Sequence, residues 1–314
     1  MLKIYKITTK DLRACGWTGT DKDLDNSLRF ENVEWVKSPK EADVISVPLC
    51  GRPEQSPQNL PQDLLEKIVK YTGQPGYKFT FFDCSDFEPE YFKVPDCMQI
   101  RSNLKGWMRR QNPRSISWAW PVEDLKHLTE VPVEGFKYPV GFQGWMRYNI
   151  RINTIGSVKQ TFGNAFDVAT YPDFYGYIEN TPEGIRRKGE FQRSLRECKL
   201  QLAPCSIPNV FPYRFFEAIS AARVPVLVCD DYSLPWEKQI PYNDFIITIP
   251  VSECHNTGPI LKDWLSKHST EQIIEMGKLG RKYYERYLCR DRANSLFTEA
   301  IEELLISEGR YVRK

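Results

Sequence analysis

The chain has 314 residues, 41% of them hydrophobic and 27% charged, with a formal net charge of only +2. That is globular usage, long enough for two domains and too well balanced for a whole-surface attraction to nucleic acid or an anionic membrane. Its nine cysteines form no CxxC pair and no Cys/His cluster of zinc spacing, so reduced, buried thiols are expected rather than a disulfide framework or a bound metal.

Leu2 to Thr8 alternate apolar and polar residues as a first strand, followed by the polar loop ACGWTGTDKDLDNS. Its Asp21-Lys22-Asp23 has the form of a DxD that holds a metal and a sugar diphosphate, but among so many solvated Asp and Lys it reads as an exposed turn. Val44 to Val47 form a short apolar run ended by Pro48, as in a buried parallel strand, and PQDLLEKIVKYT carries Leu64, Leu65, Ile68 and Val69 along one helical face. A further strand, Tyr77 to Phe82, runs into Asp83 and Asp86. Carboxylates at a strand's C-terminal end are candidate catalytic bases, and equally candidate turn formers.

Gln99 to Trp120 gather five Arg and Lys with Trp107, Trp118 and Trp120, which reads as a solvated or anion-facing surface on which a sugar ring could stack. Residues 131–138, rich in Pro, Gly and charge, read as a linker between a first domain (1–130) and a second (139–284), with a helix at about 285–314 returning to the first. The second opens on a strand, Pro139 to Phe142, then Gly144 and a helix from about Tyr148 bearing Arg151. Such a turn can hold phosphate, although the three-glycine dinucleotide signature is missing. Phe162 to Lys188 show no clear period. Leu200 to Ala203 form a strand meeting Pro204, and a polar loop leads to a helix, Tyr213 to Ala222. There Arg214 and Glu217 share one face, either as a diphosphate and ribose pair or as an intrahelical ion pair. NDFIITIP gives another strand, two helical patterns close the chain, and the three histidines stand alone. No run approaches 18 apolar residues, and the N-terminus MLKIYKITTK alternates apolar with charged residues. A soluble, cytoplasmic protein without a membrane span or signal peptide is therefore expected.

The stretch SLRECKLQLAPCSIPNVFPYRFFEAISAARVPVLVCDDYSLPW resembles the signature of exostosin-like glycosyltransferases: an apolar strand ending in Pro, an Arg-x-x-Glu-Ala helix, Pro-Val and a second apolar strand. SPKEADVISVP and VGFQGWMRYNIR are similar to two further motifs of that family, in the same order. The resemblance implies an α/β, GT-B architecture, two Rossmann-like domains facing a central cleft. It also implies an inverting transferase that needs no metal or other cofactor. The donor would be a nucleotide sugar, such as UDP-xylose, UDP-glucuronate, UDP-galactose or UDP-GlcNAc, and the acceptor a glycan hydroxyl; a non-catalytic glycan- or nucleotide-binding partner is the alternative. Carried over by position, Arg214 and Arg151 would contact the diphosphate and Glu217 the ribose, with Tyr213, Pro204 and Gly144 completing the donor site. Asp86 and Asp83 are the candidate bases, Trp17 and Trp107 the candidate acceptor aromatics. Tyr213 stands where the family usually has Ser, and Ala222-Arg223 replaces its Gly-Cys or Ala-Cys, so Tyr213 and Arg223 are expected to give the donor pocket its individual character.

Overall fold

The computed structural model describes residues 1–16, 30–47, 64–83, 96–101, 104–119, 122–173, 180–205 and 210–313. They divide into two compact units, Met1–Ala119 with Asp231–Pro235 and Asp291–Lys314, and Trp120–Asp230 with Trp236–Arg290. The second unit thus begins before the segment 131–138, whose Lys137 N–H bonds to the Glu197 carbonyl within that unit.

The first unit is a parallel sheet of β1 (Leu2–Lys6), β2 (Val33–Trp35), β3 (Val44–Val47), β4 (Phe79–Asp83), β5 (Met98–Arg101) and β6 (Ser115–Ser117), in the order β2-β1-β3-β4-β5-β6. β1 passes into α1 (Thr9–Ala14) through a capping box, in which the Thr8 hydroxyl accepts from the Asp11 N–H and the Asp11 carboxylate accepts from the Thr8 N–H. Leu64 and Ile68 of α2 (Leu64–Thr72) bury against Ile45, Val47 and Phe79, as a parallel sheet covered by helices requires. α9 (Ala293–Ser307) returns to this unit: Phe297 packs edge-on against Phe30 and Trp118, and just beyond the helix Glu308 pairs with Arg114 at 2.6 Å.

The basic, aromatic stretch 99–120 is only in part the surface expected of it, with Arg110 exposed and Arg109 and Trp107 half-buried. β5, α3 (Gly106–Gln111) and β6 put Arg101, Lys105, Arg114 and Trp118 at 8% exposure or less, inside the unit. Arg114 bonds to the Tyr77 and Asp96 carbonyls and to Glu308, and Lys105 Nζ lies 4.3 Å from the Tyr232 ring centroid, so these cations serve packing there. Backbone β4 ends with Asp83 in register with Arg101. Asp86, Trp17 and the Asp21-Lys22-Asp23 triplet lie outside the described residues.

The second unit is a parallel sheet of β7 (Tyr138–Trp145), β8 (Phe166–Tyr171), β9 (Cys198–Pro204), β10 (Val224–Val228) and β11 (Ile247–Ile249), in the order β11-β10-β9-β7-β8. α4 (Asn149–Phe162), α5 (Pro182–Glu197), α6 (Arg214–Ser220), α7 (Thr257–Lys267) and α8 (Thr270–Tyr283) cover it, and Val140, Phe142, Leu200, Leu202, Val224 and Val226 form the core against α4, α7 and α8. The chain runs from β7 outward to β8, then crosses back over β7 to β9 and on to β10 and β11. The reversal creates a topological switch point between β7 and β9, beyond whose C-terminal ends ligands bind in such sheets.

β8 and α5 occupy the stretch that showed no clear period. Their signals are a six-residue strand too short to display alternation and a Thr181-Pro182-Glu183 helix start, in which the Thr181 hydroxyl caps the Gly184 N–H. The last helical pattern is broken by a π-turn at Tyr284–Leu288, just before the chain leaves the second unit for α9. Among the described residues Cys15, Cys97, Cys198, Cys205, Cys229, Cys254 and Cys289 are buried and in no disulfide, and no helix is long and apolar enough to cross a membrane.

α6 ends in a Schellman motif: the Arg223 N–H reaches the Ala218 carbonyl at 2.9 Å and the Ala222 N–H the Ile219 carbonyl at 3.0 Å, with Ala222 at φ +56°. A Cβ in the left-handed region is strained by about 1 kcal/mol, so Ala222→Gly is expected to raise the denaturant midpoint by a stabilisation of up to about 1 kcal/mol. An unchanged or lowered midpoint in urea unfolding would contradict the strain.

Candidate functional site

The helices that follow β7 and β9, on either side of the switch point, supply the two arginines singled out from sequence. Arg151, on the first turn of α4, donates from Nη1 to the Trp145 carbonyl at 2.9 Å and from Nε to the Pro204 carbonyl at 3.4 Å, tying the end of β7 to the end of β9. Burial, followed by the nearby charge of Arg214, pushes its guanidinium down to about 10. It stays protonated at neutral pH, held by carbonyl oxygens alone, so a further anion beside it would be favoured.

Arg214 is the first residue of α6, with Tyr213 at the N-cap. Its guanidinium lies 4.4 Å from the Phe191 ring of α5 and close over Gly144, where a built Cβ would stand 3.4 Å from both Nε and Nη2. A built Cβ at 144 would come closest to Phe142 Cζ, at 3.1 Å, and meet the guanidinium only at ordinary contact distance, so it is the Phe142 ring that would have to give way. The structure thus brings Arg214, Gly144, Arg151, Pro204 and Tyr213 together. It leaves Trp107 in the other unit, on α3, where the backbone N–H of Trp107 is capped by Asp231 at 3.1 Å.

The intrahelical ion pair that spacing allowed between Arg214 and Glu217 does not form. Arg214 Nη1 and Glu217 Oε2 are each buried with no hydrogen-bond partner among the described residues. Both residues line a cavity of about 400 Å³, with Gln143, Tyr171, Arg187, Lys188, Phe191 and Tyr213 among its walls. Glu217 as a residue keeps partial exposure, but its Oε2 has lost solvent, and this burial raises the carboxyl to about 7; Arg214 and Lys188 pull against the rise and Glu123 adds to it. A donor and an acceptor left buried without partners cost free energy that a ligand accepting from one and donating to the other would recover.

The rest of the wall was not legible in the sequence. Tyr171, at the end of β8, donates to Glu190 Oε2 at 2.6 Å; burial and that carboxylate hold its phenol above the usual range. Arg187 stacks over the Tyr171 ring at 4.5 Å, fixed by Glu183 at 2.7 Å and by Asp173. Lys188 pairs with Glu123 at 2.7 Å. These residues come from β8, α5 and the segment before β7, which only the folded sheet brings to one place.

Arg223 does not shape this cavity. It is 2% exposed and spends its guanidinium on carbonyls at the ends of α5 and α6, such as Leu195 at 2.6 Å and Ala221 at 3.0 Å, and on Leu128 at 2.9 Å. Carbonyls at helix C-termini carry partial negative charge, so Arg223 braces those ends without a carboxylate.

No family model and no curated protein matches the chain. Among solved structures it is similar to a glycosyltransferase from Rickettsia africae, with a TM-score of 0.50 at 9% identity over 98% of each chain. Anabaena Alr3699/HepE, solved in complex with UDP, gives a TM-score of 0.49 at 11% identity over 98% of this chain and 100% of that one. The chain carries the two Rossmann-like α/β domains of the GT-B glycosyltransferase fold.

Proposed function

We propose that the chain is an inverting glycosyltransferase of the exostosin-like type, which binds a nucleotide sugar in the second unit and transfers the sugar to a glycan hydroxyl. The single observation that carries this reading is the pair of buried, unpartnered groups on α6, Arg214 Nη1 and Glu217 Oε2, facing one cavity beside the β7/β9 switch point. A nucleoside diphosphate supplies both missing partners, phosphate oxygens for the guanidinium and ribose hydroxyls for the carboxylate.

In the proposed reaction the acceptor hydroxyl attacks the anomeric carbon from the face opposite the diphosphate. The new carbon–oxygen bond forms as the bond to the diphosphate oxygen breaks, and the hydroxyl proton passes to a carboxylate, Asp86 or Asp83. Arg214 and Arg151 take up the negative charge growing on the leaving diphosphate, which is the service a metal gives in other transferases. Because Arg151 is held by two backbone carbonyls before reaction, little reorganisation of its guanidinium is needed as that charge develops.

Calorimetry or thermal shift with nucleoside diphosphates, followed by a product-release assay with their sugars, tests the reading. A cognate diphosphate at a hundred times its dissociation constant is expected to stabilise the protein by about 2.7 kcal/mol. No stabilisation by any nucleoside diphosphate would remove the donor site. Binding without turnover across glycan acceptors would leave the non-catalytic partner in its place.

A further inference from the structure

Glu217 lines the cavity one turn after Arg214 on α6, and its Oε2 is buried with no hydrogen-bond partner among the described residues. The charged groups around it are engaged elsewhere. On α5, Lys188 pairs with Glu123 at 2.7 Å, and Arg187 is held by Glu183 at 2.7 Å and by Asp173. On β8 the Tyr171 hydroxyl is donated to Glu190 at 2.6 Å. Glu123 brings a further negative charge from the segment before β7, and Arg290, also in the wall, is exposed. No histidine is among the described residues of this wall.

A buried carboxylate without a hydrogen-bond donor is costly, and protonation removes its charge. Burial accordingly raises the Glu217 carboxyl from 4.5 to about 7, against the pull of Arg214 and Lys188 and with Glu123 adding to the rise. In the free protein the side chain is therefore mostly a carboxylic acid at pH 6 and mostly a carboxylate at pH 8. A nucleotide sugar shifts that balance. Its diphosphate lies with Arg214 and Arg151, whose charges meet its own, while Glu217, a turn further on, receives ribose hydroxyls. Hydrogen bonds donated to a carboxylate favour its ionised form.

Resting on the nucleotide-sugar reading above, we propose that donor binding is coupled to a proton through Glu217: the free protein holds this side chain as a carboxylic acid in mildly acidic solution, and a nucleotide sugar binds as its O–H bond breaks and the proton leaves to solvent. The carboxylate so formed accepts the ribose hydroxyls. The site thereby grips its donor in neutral and alkaline solution and loosens it in acid.

The test is calorimetry at pH 6 and pH 8 with UDP-xylose, UDP-glucuronate, UDP-galactose and UDP-GlcNAc. Each pH is run in two buffers of unlike ionisation enthalpy, neither of them phosphate, so that the protons exchanged on binding are counted. A nucleotide sugar has both phosphates esterified and brings no proton that titrates between these pH values. The donor that binds is expected to release about one proton at pH 6 and almost none at pH 8, with affinity about tenfold weaker at pH 6. In Glu217→Gln, neutral throughout, the release should vanish and the weakened affinity should be the same at both pH values.

Binding with no proton released and equal affinity at the two pH values overturns the inference and leaves the donor site standing. Proton uptake on binding also overturns it, since the side chain would then donate as an acid to the ligand. Release undiminished in Glu217→Gln overturns it by placing the proton on another group. If none of the four sugars binds at either pH, the nucleotide-sugar reading fails and the inference with it. The proton count and the pH dependence are read on the native protein, so the test does not depend on the variant folding.

Discussion

Arg214→Ala is expected to lower nucleotide-sugar turnover at least a hundredfold, a loss of about 3 kcal/mol of transition-state stabilisation, with little change in thermal stability. The two halves of that expectation have separate grounds. Among the described residues Arg214 makes no ion pair with Glu217 and its Nη1 is buried without a partner, so its removal breaks no hydrogen bond seen to hold the fold. Its charge also bears on Arg151, whose guanidinium is already pushed down to about 10 by burial and then by this neighbour. Taking Arg214 away relieves that repulsion but gives up its attraction for the Glu217 carboxylate and its packing on Phe191, so the variant should melt close to the native temperature. Arg214→Lys keeps the charge but loses the planar fork that grips two oxygens, and should fall between the two. Near-native turnover in Arg214→Ala would end the assignment of the diphosphate to α6.

What the sequence disclosed and what it withheld follow from how each residue reaches the site. Arg214 and Glu217 were legible because both sit on one helix, where a spacing of three fixes a shared face before any tertiary structure is known. Gly144 and Arg151 were legible because a strand, a glycine and a helix start follow one another in the chain. Gln143 was in the same motif, VGFQGW, yet its hydrogen bonds run to Asp167 and Tyr171 of the neighbouring strand β8. No local pattern encodes those partners. The basic stretch around Trp107 misled in part for the converse reason: period and charge suggest a surface, but α9, nearly two hundred residues later, covers Trp118 and pairs with Arg114 through Glu308. Arg223 likewise looked like a pocket residue by its place in a motif, and the carbonyls that claim it belong to three separate segments.

Glu217→Gln is expected to make the protein more stable at pH 8 while weakening nucleotide binding. Burial raises the Glu217 carboxyl from its ordinary 4.5 to about 7 in the folded chain. A raised carboxyl means that the folded state holds the proton more tightly than the unfolded state. Below pH 4.5 both states are protonated and the group costs nothing. As pH rises from 4.5 to 7 the unfolded chain ionises freely while the folded one resists, and stability falls; above about 7 the full penalty, on the order of 3 kcal/mol, is in place. A glutamine is neutral throughout, so the stability gained by Glu217→Gln should be absent at pH 4 and grow through that window to a plateau near pH 8, measurable from urea unfolding at a series of pH values. The same substitution turns one carboxylate acceptor into an amide N–H, which cannot receive two hydroxyl hydrogen bonds, so nucleoside diphosphate affinity should drop even as the fold gains. A variant equally stable to the native protein at pH 4 and pH 8 would show that the carboxylate meets no desolvation there. A variant more stable at pH 8 but binding nucleotide as well as before would show that the strained carboxylate is not what the ligand satisfies.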